Sequence, residues 1–183
     1  MIKIEEWMAQ GSHSDALYAD INMLAQVLHA VVLGGAGISF VTPFSIEEAR
    51  AFWFETVLPN VRTGKRRVLV ARNGTQIVGT VQLDLDMPPN QQHRAAVTKL
   101  LVHPVARRLG VGRALMLELE KLAIAENRQL LTLDTVTDSN AEALYRSLGF
   151  IVVGIIPGYA RNSLSPELES TTVMYKEIGP AKA

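Results

Sequence analysis

The run Val102-His103-Pro104-Val105-Ala106-Arg107-Arg108-Leu109-Gly110-Val111-Gly112-Arg113 decides how this chain is read. An apolar strand over 95–102 is stopped by Pro104, which has no N–H to give a ladder. A short basic loop follows, and a helix over 110–127 opens on two glycines one residue apart. The first amides of a helix have no carbonyl partners and carry the positive end of its dipole. Glycine lets an oxyanion approach the backbone with no Cβ in the way, and Arg107, Arg108 and Arg113 add formal charge. By its chemistry the loop is an anion cradle. It is not GxxxxGK[ST], and no third glycine follows Gly112 to complete GxGxxG. Residues 107–112 fit [Q/R]xxGx[G/A]. A glycine-started helix with surface arginines fits the same six residues, so the pattern alone leaves both readings open.

Outward from the loop, the hydrophobic period alternates between helix and strand. Residues 2–7 alternate as a short strand. From 15 to 33 the apolar residues return at helical spacing (Leu17, Ile21, Leu24, Leu28, Val31), and Gly34, Gly35 and Gly37 end that helix. Ser45 and Glu48 stand in capping-box positions ahead of a second helix. A strand over 67–71 meets Asn73-Gly74, a hairpin signal. Residues 76–86 then alternate, with Ile77, Val81, Leu83 and Leu85 on one face and Val78, Thr80, Gln82, Asp84 and Asp86 on the other. Beyond the helix at 110–127 come a strand (130–136), a helix (140–148) and two strands (150–156, 171–178). The order implies a mixed α/β sheet of six to seven strands with helices on both faces, in one domain over residues 1–183.

A second segment joins the first. Asn140-Ala-Glu-Ala-Leu-Tyr145-Arg-Ser-Leu-Gly149-Phe150 resembles N-x-x-A-x-x-[YF]-x-x-x-GF. Together with 107–112, in the same order and separated by a strand, it resembles the GNAT acetyltransferase superfamily, whose motif A binds the pyrophosphate of acetyl-CoA. Leu24-Ala-Gln-Val-Leu, Gly34-Gly-Ala, Leu133-Asp-Thr and Pro157-Gly-Tyr159 further resemble the tabtoxin-resistance branch of that superfamily, which acetylates a β-lactam dipeptide toxin or its warhead.

The resemblance implies a GNAT fold with the sheet splayed between its fourth and fifth strands, and pantetheine in the gap. The main chain of Leu100, Leu101 and Val102 would hold the pantetheine arm. Arg107, Arg108, Gly110, Val111, Gly112 and Arg113 would hold the pyrophosphate, and Asn140 would contact the cofactor arm. Tyr145 would donate a proton to the leaving thiolate as general acid; a tyrosine packed for its ring area is the alternative. Asp134, at the end of its strand, would take a proton from the acceptor ammonium or bind it; a carboxylate bonded to nearby amides is the alternative. The segment Ala95-Ala96-Val97-Thr98-Lys99 departs from the family, because it has no carboxylate to act as base. That shifts the expected role to Asp134, Asp84 or a water chain, with Lys99 read as a sheet-surface lysine. The acceptor pocket is expected at Phe40, Thr42, Pro43, Phe44 and Tyr159, although Phe40 and Phe44 fit a local core as well. His29, on an apolar helical stripe, reads as packed.

Composition sets the limits. The chain is 48% hydrophobic and 20% charged, which is globular composition. Its 18 basic and 18 acidic residues balance, so no broad electrostatic field draws nucleic acid. It has no cysteine, and His13, His29, His93 and His103 show no metal-ligand spacing, so no metal is expected. No apolar run reaches the ~20 residues of a membrane span, and the N-terminus lacks a signal-peptide pattern. The expected protein is cytoplasmic, a monomer or homodimer, acting on a small-molecule primary amine by direct transfer in a ternary complex. A protein or peptide N-acetyltransferase, a non-catalytic acyl-CoA-binding module and a nucleotide-binding protein are the alternatives.

Overall fold

A computed structural model describes residues 2–8 and 15–179; His13 lies outside them. Seven strands form one sheet in the order β1-β2-β3-β4-β5-β7-β6. They are β1 (Ile2–Glu6), β2 (Arg66–Asn73), β3 (Gln76–Asp84), β4 (Arg94–Val102), β5 (Leu130–Val136), β6 (Ile151–Arg161) and β7 (Leu168–Glu177). Only β4 and β5 pair in parallel; every other neighbour is antiparallel. The β4–β5 crossover is carried by α4 (Val111–Ala125), as a parallel connection requires.

Helices cover both faces, because each face of the sheet is apolar. Val111, Leu115, Met116, Leu119 and Ala123 of α4 pack over Val81, Leu83, Val97 and Leu131. On the other face, α1 (Asp15–Leu33) buries Ile21, Leu24, Leu28 and Val32 together with Val68, Val70 and Leu101. By length and composition α1 is apolar enough to cross a membrane, which corrects the reading that no run approaches that size. Its buried stripe instead makes it the central helix of the second core.

The second helix opens where its sequence signal lies. Ser45 N–H donates to Glu48 Oε2 (2.7 Å), and Glu48 N–H donates to Ser45 Oγ (3.1 Å). It is not one continuous α-helix: α2 (Ile46–Ala51) widens into a π-turn at Phe52–Val57 before α3 (Leu58–Arg62). Pro59, which has no N–H, sits where the α register resumes. The turn holds Trp53 fully buried and Phe52 edge-on to Phe40, 5.3 Å away.

Two departures from simple alternation position the site. In β3, Ile77 faces the α1 core while Val78, Val81 and Leu83, with Leu85 just beyond the strand, face α4. The β2–β3 register slips between Ala71 and Arg72, and this bulge reverses the face of Ile77 and Val78 against the strict alternation expected. In β4, the register against β3 slips between Thr80–Leu101 and Gln82–Thr98, and Lys99 takes φ +51°. The β6–β7 hairpin is also longer than its sequence pattern suggests, pairing out to Ala160–Glu169 and Arg161–Leu168.

Candidate active site

The loop between β4 and α4 turns on Gly110, which adopts φ +78° as the helix N-cap. A side chain would be strained there, whereas glycine is not. The first intrahelical bond across the cap is Ala114 N–H to Gly110 O (3.0 Å), so the amides of Val111, Gly112 and Arg113 open outward. At Gly112 an added Cβ would lie 3.3 Å from Leu144 Cδ2 and 3.8 Å from Val102 Cγ2. Glycine therefore keeps the backbone bare where a phosphate would approach. Arg107 turns back, its Nε donating to Val102 O (3.3 Å), while an Arg113 nitrogen donates to Ser147 Oγ (2.7 Å). Arg108, with φ +63°, is exposed. The loop thus sets the open amides of the helix start on a stretch of chain that also carries three arginines, Arg107, Arg108 and Arg113.

This cradle stands at the mouth of a split. The β4–β5 pairs run from Arg94–Leu130 to Ala96–Thr132 and then stop. Beyond Ala96, the β5-facing edge of β4 is unpaired through Leu100, Leu101 and Val102, while its other edge stays bonded to β3. An extended chain with amide groups fits such an edge.

The helix α5 (Asn140–Ser147) follows β5 and flanks the split. Ser139, not Asn140, is its cap, accepting from Glu142 N–H (3.1 Å). Asn140 is the exposed first residue of the helix. Tyr145 is buried, with its ring 5.7 Å from that of Phe150. Burial first, and the Asp134 charge second, push the phenol pKa up, so the group keeps its proton. Asp134 is exposed near the end of β5, and its Oδ2 accepts from Thr171 Oγ1 (3.3 Å).

Glu142 anchors α5. Its buried carboxylate accepts from Arg146 (2.6 Å), Asp138 N–H (2.7 Å) and Thr172 Oγ1 (3.1 Å). The Arg146 bond is the main cause that holds its pKa below the usual range; Asp138 and Thr172 add to this, against burial. A depressed carboxylate contributes stability above its ordinary pKa and loses it as pH falls through the folded value. Glu142→Ala is expected to cost about 3 kcal/mol, or roughly 6–12 °C in Tm, and to flatten acid unfolding. Thermal melts between neutral and acid pH check this.

On the far side of the split lies a cleft of about 220 Å³ lined by Ser39, Phe40, Asp134, Tyr159, Glu169 and Thr171, among others. Its two walls are tied together: Thr42 donates to Ser163 O through both N–H (2.8 Å) and Oγ1 (3.0 Å). Phe40, Asp134 and Tyr159 are thus brought together. Phe44 is not part of the lining; it is buried in the α1 core against Phe40 (4.7 Å) and His29 (6.3 Å). Asp84 is committed to Arg66 (2.9 Å) and lies outside the lining.

Lys99 corrects the reading of a sheet-surface lysine. It is half-buried, and its Nζ donates to Ile38 O (2.9 Å) and Ser39 Oγ (3.1 Å) on the rim of the cleft. Glu169 and Thr171 also line the cleft; the sequence pattern ends one strand at 156 and begins the next at 171, which leaves Glu169 in the connection and gives Thr171 no role beyond its strand. The turn-rich run Asn162-Ser163-Leu164-Ser165-Pro166 was the signal for a longer hairpin.

The site thus combines a mixed sheet split between β4 and β5, a helix start with open amides, and a small cleft that holds Asp134. Residues 37–150, more than half of the chain, match the model of the Acetyltransferase (GNAT) family. The chain belongs to that family and is an acetyl-CoA-dependent N-acetyltransferase. It is similar in fold to an N-acetyltransferase from Staphylococcus aureus Mu50, with a TM-score of 0.78 and 16% identity over 98% of this chain and 99% of that one. A ribosomal-protein-alanine N-acetyltransferase from Brucella melitensis gives 0.75 and 24%, over 96% and 99%. A Salmonella typhimurium protein described as an acetyltransferase, solved with its cofactor acetyl-CoA, gives 0.75 and 18%, over 100% and 96%.

Proposed function

We propose that this enzyme acetylates the primary amine of a small molecule, amino-acid-like or antibiotic- or toxin-like, by direct transfer in a ternary complex. The observation that carries this reading is the split between β4 and β5, which has the anion cradle at one side and a small cleft holding Asp134 at the other. A cleft of about 220 Å³ is below the usual range of drug-sized sites, which favours a small acceptor. The toxin-like option rests on the branch resemblance in the sequence.

When bound, acetyl-CoA supplies an activated acetyl group. The main chain of Leu100, Leu101 and Val102, on the unpaired edge of β4, would hold its pantetheine arm, and one N–H there would polarise the thioester carbonyl. The loop from Arg107 and Arg108 through Gly110, Val111, Gly112 and Arg113 holds the pyrophosphate, and Asn140 contacts the arm. Asp134 holds the acceptor ammonium and takes its proton, directly or through water. Tyr145 keeps a proton at its hydroxyl and gives it to the departing sulfur. Phe40 and Tyr159 shape the acceptor cleft. The chain works in the cytoplasm as one domain, alone or as a homodimer.

Acetyl-CoA at about 100 times its Kd is expected to stabilise the protein by about 2.7 kcal/mol, roughly 5–11 °C in Tm. An amine panel is then expected to release free thiol. The chain has no cysteine, so every thiol detected comes from CoA. No shift in Tm at high excess overturns the cofactor site; a shift with no thiol release from any amine overturns transfer.

A further inference from the structure

Lys99 sits at the β4 bulge, three residues beyond Ala96, the last β4 residue paired with β5, and has φ +51°. That conformation is uncommon for a residue with a side chain and marks a position held by its surroundings. The bulge re-aims the side chain from the sheet onto the loop after α1. There Nζ meets Ile38 O, Ser39 Oγ and the faces of Phe40 (5.5 Å) and Phe52 (6.0 Å). Carbonyl, hydroxyl and rings all favour a cation, but none neutralises it.

The charges around this point do not balance locally. Arg66, whose charge acts on Lys99, is already paired with Asp84 at 2.9 Å. Among the described residues Lys99 has no carboxylate within ion-pair distance, and neither has Asp134 a cation. Among the described residues, the Asp134 carboxylate accepts a hydrogen bond from the Thr171 hydroxyl alone. The two unlike charges lie on the two strands that part at the split, near enough to act on each other and too far to pair. Burial and Arg66 lower the Lys99 pKa, which is the signature of a cation held without a counter-ion. Phe40 and Ser39, which touch Lys99, also line the cleft that holds Asp134.

We propose that the acceptor carries an anionic group beside its amine, as an α-amino acid or close analogue does, and that Lys99 is the specificity-determining residue that binds this anion while the amine faces Asp134. Such a zwitterion supplies both Lys99 and Asp134 with a complement and fixes the amine's orientation, while Arg161 and Glu169, which also line the cleft, are held by the neutral partners Ser165 O and Asn162. The proposal rests on the acetyltransferase reading above.

The test compares L-phenylalanine, L-leucine and L-methionine with their amides and their decarboxylated amines, using acetyl-CoA as donor. The wild-type enzyme is expected to favour the free amino acids by at least about tenfold in kcat/KM. In Lys99→Met this ratio is expected to fall to near one, while Lys99→Arg, which keeps a cation but cannot serve as a base, restores most of it. A merely structural role for Lys99 would lower all acceptors alike and leave the ratio standing. A wild-type ratio near one overturns the proposal even if Lys99→Met fails to fold, as does an arginine variant that has lost the ratio as completely as the methionine one. Transfer to amines without discrimination sinks this inference alone; no transfer to any amine sinks the acetyltransferase reading with it.

Discussion

Tyr145→Phe is expected to lower kcat by about two orders of magnitude while leaving the Kd for acetyl-CoA within about twofold. The phenol hydroxyl is the only atom the substitution removes. The ring packs against Phe150 and is otherwise buried, so phenylalanine keeps the same contacts and the fold of α5. Loss in kcat without loss of cofactor affinity marks an interaction made only in the transition state. Burial and the Asp134 charge raise the phenol pKa. The acid form therefore persists through neutral and mildly alkaline pH, and any alkaline fall in rate must come from another group. Stopped-time thiol release across pH, with thermal-shift titration of acetyl-CoA, checks both parts. A variant with wild-type kcat removes Tyr145 as the proton donor.

Gly112→Asp is expected to weaken acetyl-CoA binding by about 100-fold, the scale of losing charge-assisted hydrogen bonds and adding a like charge. Two effects coincide at this position. The new Cβ comes within 3.3 Å of Leu144 Cδ2, and a carboxylate is placed beside the helix-start amides proposed to hold the pyrophosphate. Gly112→Ala separates them, because the flexible end of Leu144 can give by a few tenths of an ångström. The alanine variant should therefore lose much less affinity than the aspartate one. Equal affinity in wild type and Gly112→Asp, with an unchanged apo Tm, would place the pyrophosphate elsewhere.

Much of the fold was legible because its signals are local. The limits of α1 follow directly from a helical apolar stripe ended by glycines, and the Ser45–Glu48 capping box is made by two short bonds. The Asn73-Gly74 turn joins β2 to β3, with Gly74 at φ +61°. What failed was register. Strict alternation puts Ile77 with Val81, but bulges arise from pairing with a neighbouring strand and leave no mark in one strand's own pattern. The π-turn at Phe52–Val57 and the long β6–β7 hairpin were missed for the same reason: tertiary contacts overrode local period.

The sequence by itself determined the chemistry that depends on residue type and near spacing. The glycines and arginines of 107–112 set open amides and basic side chains at a helix start, because both follow from covalent order; it took the second segment, 140–150, to favour a cofactor cradle over a plain helix start. Asp134 and Tyr145 could be named from their places on their elements. Only the tertiary structure decided which distant side chains share the acceptor cleft. It buried Phe44, tied Asp84 to Arg66, and brought Glu169 and Thr171 to Asp134. It also turned Lys99 from a lysine on a sheet into a half-buried cation at the rim, through one extra residue in a strand. A bulge has no local cause, and so the residue it redirects cannot be read from its neighbours in sequence.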